Sequence, residues 1–127
     1  MNYGYSKQVS LSYIDAIEKT KEELTKEGFG VLTEIDVKTT MKKKLDLDYE
    51  NYIILGACNP PLAHKALQAE KEIGLLLPCN VIVYESDGKV HVSAIIPSVA
   101  MSMVENPKLS EIAQEVEDKL KKVVGEI

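Results

Sequence analysis

Residues 79–97 constrain the fold most strongly, because they contain two apolar strands joined by a tight turn. Asp87-Gly88 falls at the two central positions of that turn, and this dipeptide favours the type I′ hairpin. The turn sets one pairing register, in which these residues face each other: Glu85 and Val90, Val83 and Val92, Val81 and Ala94, Cys79 and Ile96. One face of the hairpin is therefore apolar along its whole length, so we expect that face, including Cys79, to point into a core.

The opposite face of this hairpin mixes polar and apolar side chains: Asn80, Ile82, Tyr84, His91, Ser93 and Ile95. A half-apolar sheet surface of this kind is a candidate contact surface for a partner subunit or a ligand.

Three segments carry helix start signals. Ser12-Tyr-Ile-Asp15 resembles a capping box, and Asn59-Pro60 and Asn106-Pro107 each place a good N-cap before a proline at the first helical position. Apolar residues follow each start at helical spacing: Ile14, Ile17 and Leu24; Leu62, Ala66, Ala69 and Ile73; Leu109, Ile112, Ala113, Val116, Leu120 and Val123. The spacing predicts helices over 12–27, from 60 to a stop at Gly74, and from 107 to the C-terminus.

The remaining segments predict strands. Residues 2–9 and 29–37 alternate, the second with Phe29, Val31, Thr33, Ile35 and Val37 on one apolar face, and Ile53-Ile54-Leu55 suggests burial on both faces of a strand over 49–58. A short helix over 39–47, started by a threonine cap, fits between the last two strands. The element order, β-α-β(n)-α, predicts a single α+β domain over 1–127, with helices packed on one face of a mainly antiparallel sheet.

Composition and charge exclude some classes of function. The chain has 127 residues, a formal net charge of -5 and a pI near 5.1, which argues against nucleic-acid binding despite Lys42-Lys43-Lys44. It contains no 18-residue apolar run and no signal pattern at its start, so we expect a cytoplasmic protein that does not cross a membrane. Two cysteines in a reducing compartment are expected to be free thiols, metal ligands or catalytic groups.

Cys58 is the sharpest candidate for a site. It ends a predicted strand and precedes a helix N-terminus, where a thiolate is favoured, although a cysteine there also packs well as a small buried residue. Cys79 starts a strand and would form, with Cys58, a dithiol, a disulfide or half of a metal site. Their separation of 21 residues does not match zinc-ribbon spacing. His64 would complete a Cys, Cys, His set, but its helical angle points away from the apolar stripe.

Three stretches resemble the domain of unknown function family 302: Gly28-Phe-Gly-Val-Leu-Thr-Glu-Ile-Asp-Val37, Leu55-Gly-Ala-Cys-Asn-Pro-Pro61 and Gly74-Leu-Leu-Leu-Pro-Cys-Asn-Val-Ile-Val-Tyr84. The resemblance covers almost the whole chain and includes both cysteines. It implies a compact α+β domain, similar in strand and helix order to the TATA-binding-protein-like architecture and often a homodimer, and it implies no known activity. A shared architecture does not transfer DNA binding.

These observations favour a homodimeric binding module for a small ligand or a soft, zinc-like metal ion, with Cys58, Cys79 and Asn59 at the ligand and Cys58, Cys79 and His64 at a metal. The first alternative is a thiol-dependent enzyme or redox protein, with Cys58 as nucleophile and Cys79 as resolving thiol. The second is a pure interaction or dimerisation domain. Binding is favoured over catalysis because no base for Cys58 stands out in the sequence.

Overall fold

A computed structural model describes residues 2–127 as alternating strands and helices. The strands are β1 (Gly4–Val9), β2 (Gly30–Asp36), β3 (Tyr52–Cys58), β4 (Cys79–Ser86) and β5 (Lys89–Ile95). The helices are α1 (Tyr13–Lys26), α2 (Val37–Leu45), α3 (Pro60–Ala69), α4 (Pro97–Ala100) and α5 (Pro107–Gly125), with a 3₁₀ helix at Lys71–Leu76. All strand pairs are antiparallel, in the sheet order β1-β5-β4-β3-β2. The predicted α+β fold class is confirmed.

The hairpin of β4 and β5 forms the centre of the core. Its observed register pairs Glu85 with Val90, Val83 with Val92 and Val81 with Ala94, as the turn predicts. Asp87 and Gly88 have φ angles of 52° and 76°, the left-handed values that a type I′ turn needs. The ladder ends before the predicted partner of Cys79 in β5, and Cys79 pairs with Ala57 of β3. The apolar side chains of the hairpin face α1 and α5.

Side-chain caps start the three main helices where the sequence places them. The hydroxyl of Ser12 accepts a hydrogen bond from the Asp15 amide at 3.1 Å, and Asn59 Oδ1 accepts one from Leu62 at 3.4 Å. Asn106 Oδ1 accepts one from the amide two residues on. Each cap satisfies one of the backbone donors that a helix start leaves without a partner.

The buried face of α1 differs from the predicted stripe. Ile14 is 64% exposed, whereas Thr20 and Glu23 are buried. Thr20 satisfies its hydroxyl by donating to the Ala16 carbonyl, and the Glu23 carboxylate lies 2.7 Å from the Lys26 ammonium. Local pairing of these polar groups lets the helix bury them, so the contact face follows the sheet rather than the apolar spacing.

The apolar side chains of β2 are more exposed to solvent than the alternating sequence pattern predicts. A register shift between Val31 and Thr33 interrupts its pairing with β3, and Ile35 is exposed. After this shift Ile35 lies opposite Ile54, on the face of the sheet away from the helices, so the predicted apolar face of this segment is buried at Phe29 and not at Ile35. Strand β3 lies between β4 and β2 and buries Ile53, Leu55, Gly56 and Ala57, and Ile54 is half-buried on the other side of the sheet.

Two helix boundaries also differ. Asp36, rather than a threonine, caps α2 by accepting a hydrogen bond from the Thr39 amide at 3.0 Å. The helix α3 ends at Ala69, and Gly74 lies within the following 3₁₀ helix. Within residues 2–127, no helix is long and apolar enough to span a membrane.

Candidate functional site

A cavity of about 250 Å³ lies between α3, α5 and the adjoining ends of β3 and β4. Both cysteines line it, together with Asn59 and a predominantly aliphatic wall. That wall includes Phe29, Leu62, Ala66, Leu77, Ile112 and Val116. The cavity therefore brings together the three residues that the sequence predicts for ligand binding.

Asn59 holds the strand-to-helix turn at the cavity wall. While its Oδ1 caps α3, its Nδ2 donates to the Glu27 carbonyl at 3.2 Å, which ties the end of α1 to the start of α3. Gly28 makes room for this link, since a β-carbon there would lie 3.1 Å from Asn59 Nδ2. Both ends of the amide are thus engaged with the backbone, and the polar character of the cavity comes mainly from sulfur.

The two thiols differ in their environment. Cys58 is half-buried at the end of β3, whereas Cys79 begins β4 directly after the cis Leu77–Pro78 peptide and is only 7% exposed. Burial, reinforced by the neighbouring Cys58, raises the pKa of the Cys79 thiol to about 11. A thiol with that pKa stays protonated at neutral pH, because an apolar environment disfavours the thiolate. Both cysteines are free.

His64 lies apart from the cysteines. It is exposed on α3, as its helical angle predicts, and it does not line the cavity. In the part of the chain that the structure describes, 2–127, no group of three or more His, Cys, Asp or Glu side chains is placed to hold a metal ion. The predicted set of Cys58, Cys79 and His64 is therefore not assembled, because His64 projects from the side of α3 opposite Leu62 and Ala66.

Met101 also lines the cavity, and the sequence did not single it out as a site residue. It follows α4 directly, and Glu117 of α5 holds that short helix by accepting a hydrogen bond from the Ser98 amide at 3.1 Å. Glu117 also lies 3.0 Å from the Lys121 ammonium. Burial favours a higher pKa for Glu117, but the hydrogen bonds from Ser98 and Lys121 outweigh it and leave the pKa lowered.

The face of the sheet away from α1 and α5 carries an aromatic row across three strands. Tyr52 stacks on Tyr84 with ring centroids 5.5 Å apart, and Tyr84 stacks on His91 at 5.0 Å. Burial first, and the neighbouring tyrosines second, raise the pKa of Tyr52. The predicted position of His91 opposite Tyr84 is confirmed, and its ring packs in this row at a distance from both cysteines along the sheet.

The chain is similar to known proteins of one family. The family described as "Domain of unknown function DUF302" matches residues 5–127. The crystal structure of an uncharacterised conserved DUF302 protein from Bacillus stearothermophilus is similar over 98% of both chains, with 32% sequence identity and a TM-score of 0.93. The search of curated proteins found no match. The three stretches that suggested this family all lie within the matched residues.

Proposed function

We propose that this chain, which belongs to the domain of unknown function DUF302 family, is a binding module that holds a small apolar ligand between α3 and α5. The observation that carries the proposal is the cavity itself, in which aliphatic side chains surround both cysteines. Ligand sites are typically concave and mostly apolar, with a few convergent polar groups. An apolar protein cavity of about 150 Å³ takes up benzene, so a volume of about 250 Å³ suits a somewhat larger molecule.

Small side chains on facing elements create this volume. Ala63 and Ala66 of α3, Ala113 of α5 and Ala57 of β3 all line the cavity. Any of these positions would project further into the space with a larger aliphatic residue. The site is therefore shaped by residue size, and its occupant is expected to gain affinity mainly from apolar burial.

Binding is favoured over nucleophilic catalysis for a chemical reason. Among the residues that line the cavity there is no His, Asp, Glu or Lys that would take a proton from Cys58. The cavity offers Cys58 an apolar wall and a protonated neighbour, Cys79. Both features suit the capture of an apolar molecule better than the activation of a nucleophile.

A dye-binding experiment tests this function. We expect 1-aminoanthracene, an apolar dye that brightens on leaving water, to bind one site per chain. Ala63→Phe places a ring at the partly exposed cavity rim and should weaken binding by about tenfold or more. His64→Phe adds the same ring to the exposed side of the same helix and should leave the affinity unchanged. Equal affinities for both variants, or no dye binding by the unaltered chain, would refute the proposal.

We also propose that the chain forms a homodimer through residues 35–49, here called the edge segment. It carries four exposed large apolar side chains, Ile35, Leu45, Leu47 and Tyr49, and α2 within it buries none of its side chains. Four lysines, Lys38 and Lys42-Lys43-Lys44, lie on α2, and Lys42 pairs within the chain with Asp46 at 3.0 Å and Asp48 at 3.5 Å. A two-fold axis would set the exposed apolar side chains of one copy against those of the other.

Sedimentation equilibrium tests the dimer. The unaltered chain is expected to be dimeric, and Leu45→Glu should make it monomeric because a carboxylate would enter the apolar contact. Leu75→Glu is the matched control, since Leu75 is 82% exposed and lies outside the edge segment. A monomeric unaltered chain, or a Leu45→Glu variant that stays dimeric, would contradict this interface.

A further inference from the structure

We propose that the ligand of this chain is an uncharged single-chain amphiphile. Its alkyl tail would fill the cavity between α3 and α5, and its hydroxyl or amide head would lie in a second cavity on the other side of Met101. The inference rests on the proposed function, because it takes the same cavity as the binding site. It goes further by naming the chemical class of the ligand and the side chain that the ligand must pass.

The second cavity has a volume of about 310 Å³ and is here called the polar cavity. Four of its lining residues end in a hydroxyl or an amide: Ser98, Ser102, Ser110 and Gln114. All four are exposed, so the polar cavity opens to solvent. It therefore offers hydrogen-bonding side chains at the surface, whereas the cavity between α3 and α5 is lined mainly by aliphatic groups.

Met101 and Ala113 line both cavities and lie between them. Each residue of α5 turns the helix by about 100°, so Ile112 and Val116 fall on one side of Ala113, where they line the cavity between α3 and α5. Gln114 falls on the other side of Ala113 and lines the polar cavity. Met101 packs with Ala113 in one buried cluster, and its side chain therefore forms a wall between the two cavities.

This wall is a side chain that can move while the backbone stays in place. Methionine is unbranched and has three rotatable bonds, so a change of rotamer can join the two volumes. The backbone at Met101 follows α4, and Glu117 holds α4 on α5 by accepting the hydrogen bond from the Ser98 amide. A ligand that displaces the Met101 side chain would thus find the surrounding walls already formed.

The volumes and the lining residues define the ligand. An apolar cavity of about 150 Å³ holds benzene, and at the same volume per carbon atom about 250 Å³ holds an alkyl chain of about ten carbons. A longer chain would have to pass Met101 into the polar cavity. Within residues 2–127, none of the residues that line either cavity is Lys, Arg, His, Asp or Glu. An ionised head group would find no charged partner there, so the lining favours an alcohol or an amide.

Displacement of 1-aminoanthracene by straight-chain primary alcohols, each below its solubility limit, tests the inference. Burial of a methylene raises affinity by about threefold to fourfold, so 1-dodecanol should bind the unaltered chain about tenfold more tightly than 1-decanol. Met101→Phe places a larger and stiffer side chain in the wall, and it should abolish this gain. Met101→Ala opens the wall and should keep it. Met103→Phe is the matched control and should behave as the unaltered chain does, because Met103 is 74% exposed and lines neither cavity.

The head group is tested by comparing 1-dodecanol with dodecanoate at pH 8, where the carboxylate is ionised. We expect dodecanoate to bind the unaltered chain at least about tenfold more weakly. Equal affinities for the two compounds would overturn the uncharged head.

Other outcomes would overturn the passage across Met101. These are equal affinities of the unaltered chain for 1-decanol and 1-dodecanol, a gain that persists in folded Met101→Phe, or a gain that is lost in Met101→Ala. Circular dichroism verifies folding, and Met101→Ile, which is stiff because it branches at its β-carbon, replaces Met101→Phe if the ring unfolds the chain. Alcohol binding that gains nothing beyond about ten carbons would leave the proposed function standing and refute only this inference.

Discussion

Selective alkylation gives the most direct test of how the surroundings of the two thiols change their reactivity. We predict that iodoacetamide at pH 8 modifies Cys58 in the folded protein and leaves Cys79 intact. The thiolate is the nucleophile, and Cys79 has a pKa of about 11 against an ordinary value of 9.0. At pH 8 these values correspond to thiolate fractions of about 0.1% and about 10%, so ionisation alone slows Cys79 by about a hundredfold relative to the same thiol in the unfolded chain. Its 7% exposure slows the reaction further.

Peptide mapping by mass spectrometry after short exposures measures the rate at each cysteine. The Cys58→Ser variant is the control, and while folded it should take up almost no label. In guanidinium chloride both cysteines should react at similar rates, because unfolding removes the burial that raises the pKa of Cys79. Raising the pH of the folded protein should increase the Cys79 rate by about tenfold per pH unit up to about pH 11. A native Cys79 rate within tenfold of that of Cys58 at pH 8 would refute the reasoning.

Three further predictions concern stability, each measured by urea denaturation. Gly56→Ala should cost about 2 kcal/mol because its β-carbon would overlap the Thr33 hydroxyl, whereas Gly30→Ala, with open space around it, should change stability by less than about 0.5 kcal/mol. Between pH 9 and 11 the unaltered chain should lose about 2 kcal/mol relative to Cys79→Ala, since the unfolded thiol ionises from its ordinary pKa of 9.0 while the folded thiol keeps its proton until about 11. Glu117→Gln should cost about 1 kcal/mol at pH 7, and the cost should shrink as the pH falls through the lowered pKa of the carboxylate, because a protonated Glu117 no longer pairs with Lys121; a penalty independent of pH would contradict this role.

Local signals accounted for the hairpin and the helix starts. Asp87-Gly88 determines the register of β4 and β5 because only a few residue pairs accept two successive positive φ angles. Asn59 and Asn106 mark helix starts because their side chains satisfy backbone donors within a few residues. Such interactions depend on neighbours in sequence, so they can be predicted without knowing the tertiary fold.

Which side chains are buried at the edges of the fold depends on how the elements pack, and the local sequence pattern does not show this. Apolar spacing placed Ile14 inward, but the face of α1 that meets the sheet is set by where β4 and β5 lie. Glu23 is buried on that helix because two lysines on the same helix, Lys19 and Lys26, neutralise it. Ile35 is exposed because the register shift between Val31 and Thr33 sets it opposite Ile54, on the face of the sheet away from the helices, and the alternation of apolar residues does not reveal such a shift.

The site was predicted in part for the same reason. Cys58 and Cys79 were candidates for one site because each lies at a strand end, and the antiparallel pairing of β3 with β4 brings the end of one strand beside the start of the other. His64 was placed correctly on the outside by its helical angle, which already weakened the predicted metal set. Met101 carried no such signal, because its position depends on the long-range hydrogen bond between Glu117 and the Ser98 amide.

Packing stability alone does not explain the cavity. The same chain fills the sheet core with large aliphatic residues, and Leu55, Val81 and Val83 have no exposed surface there. Between α3 and α5 it instead lines the cavity with alanines and leaves about 250 Å³ unfilled by side chains. The amide of Asn59 is turned to the backbone at the same wall, so the space is left to apolar groups and sulfur. Concave, mostly apolar surfaces of this kind are typical of ligand sites, and for that reason the proposed function is best tested through what the cavity binds.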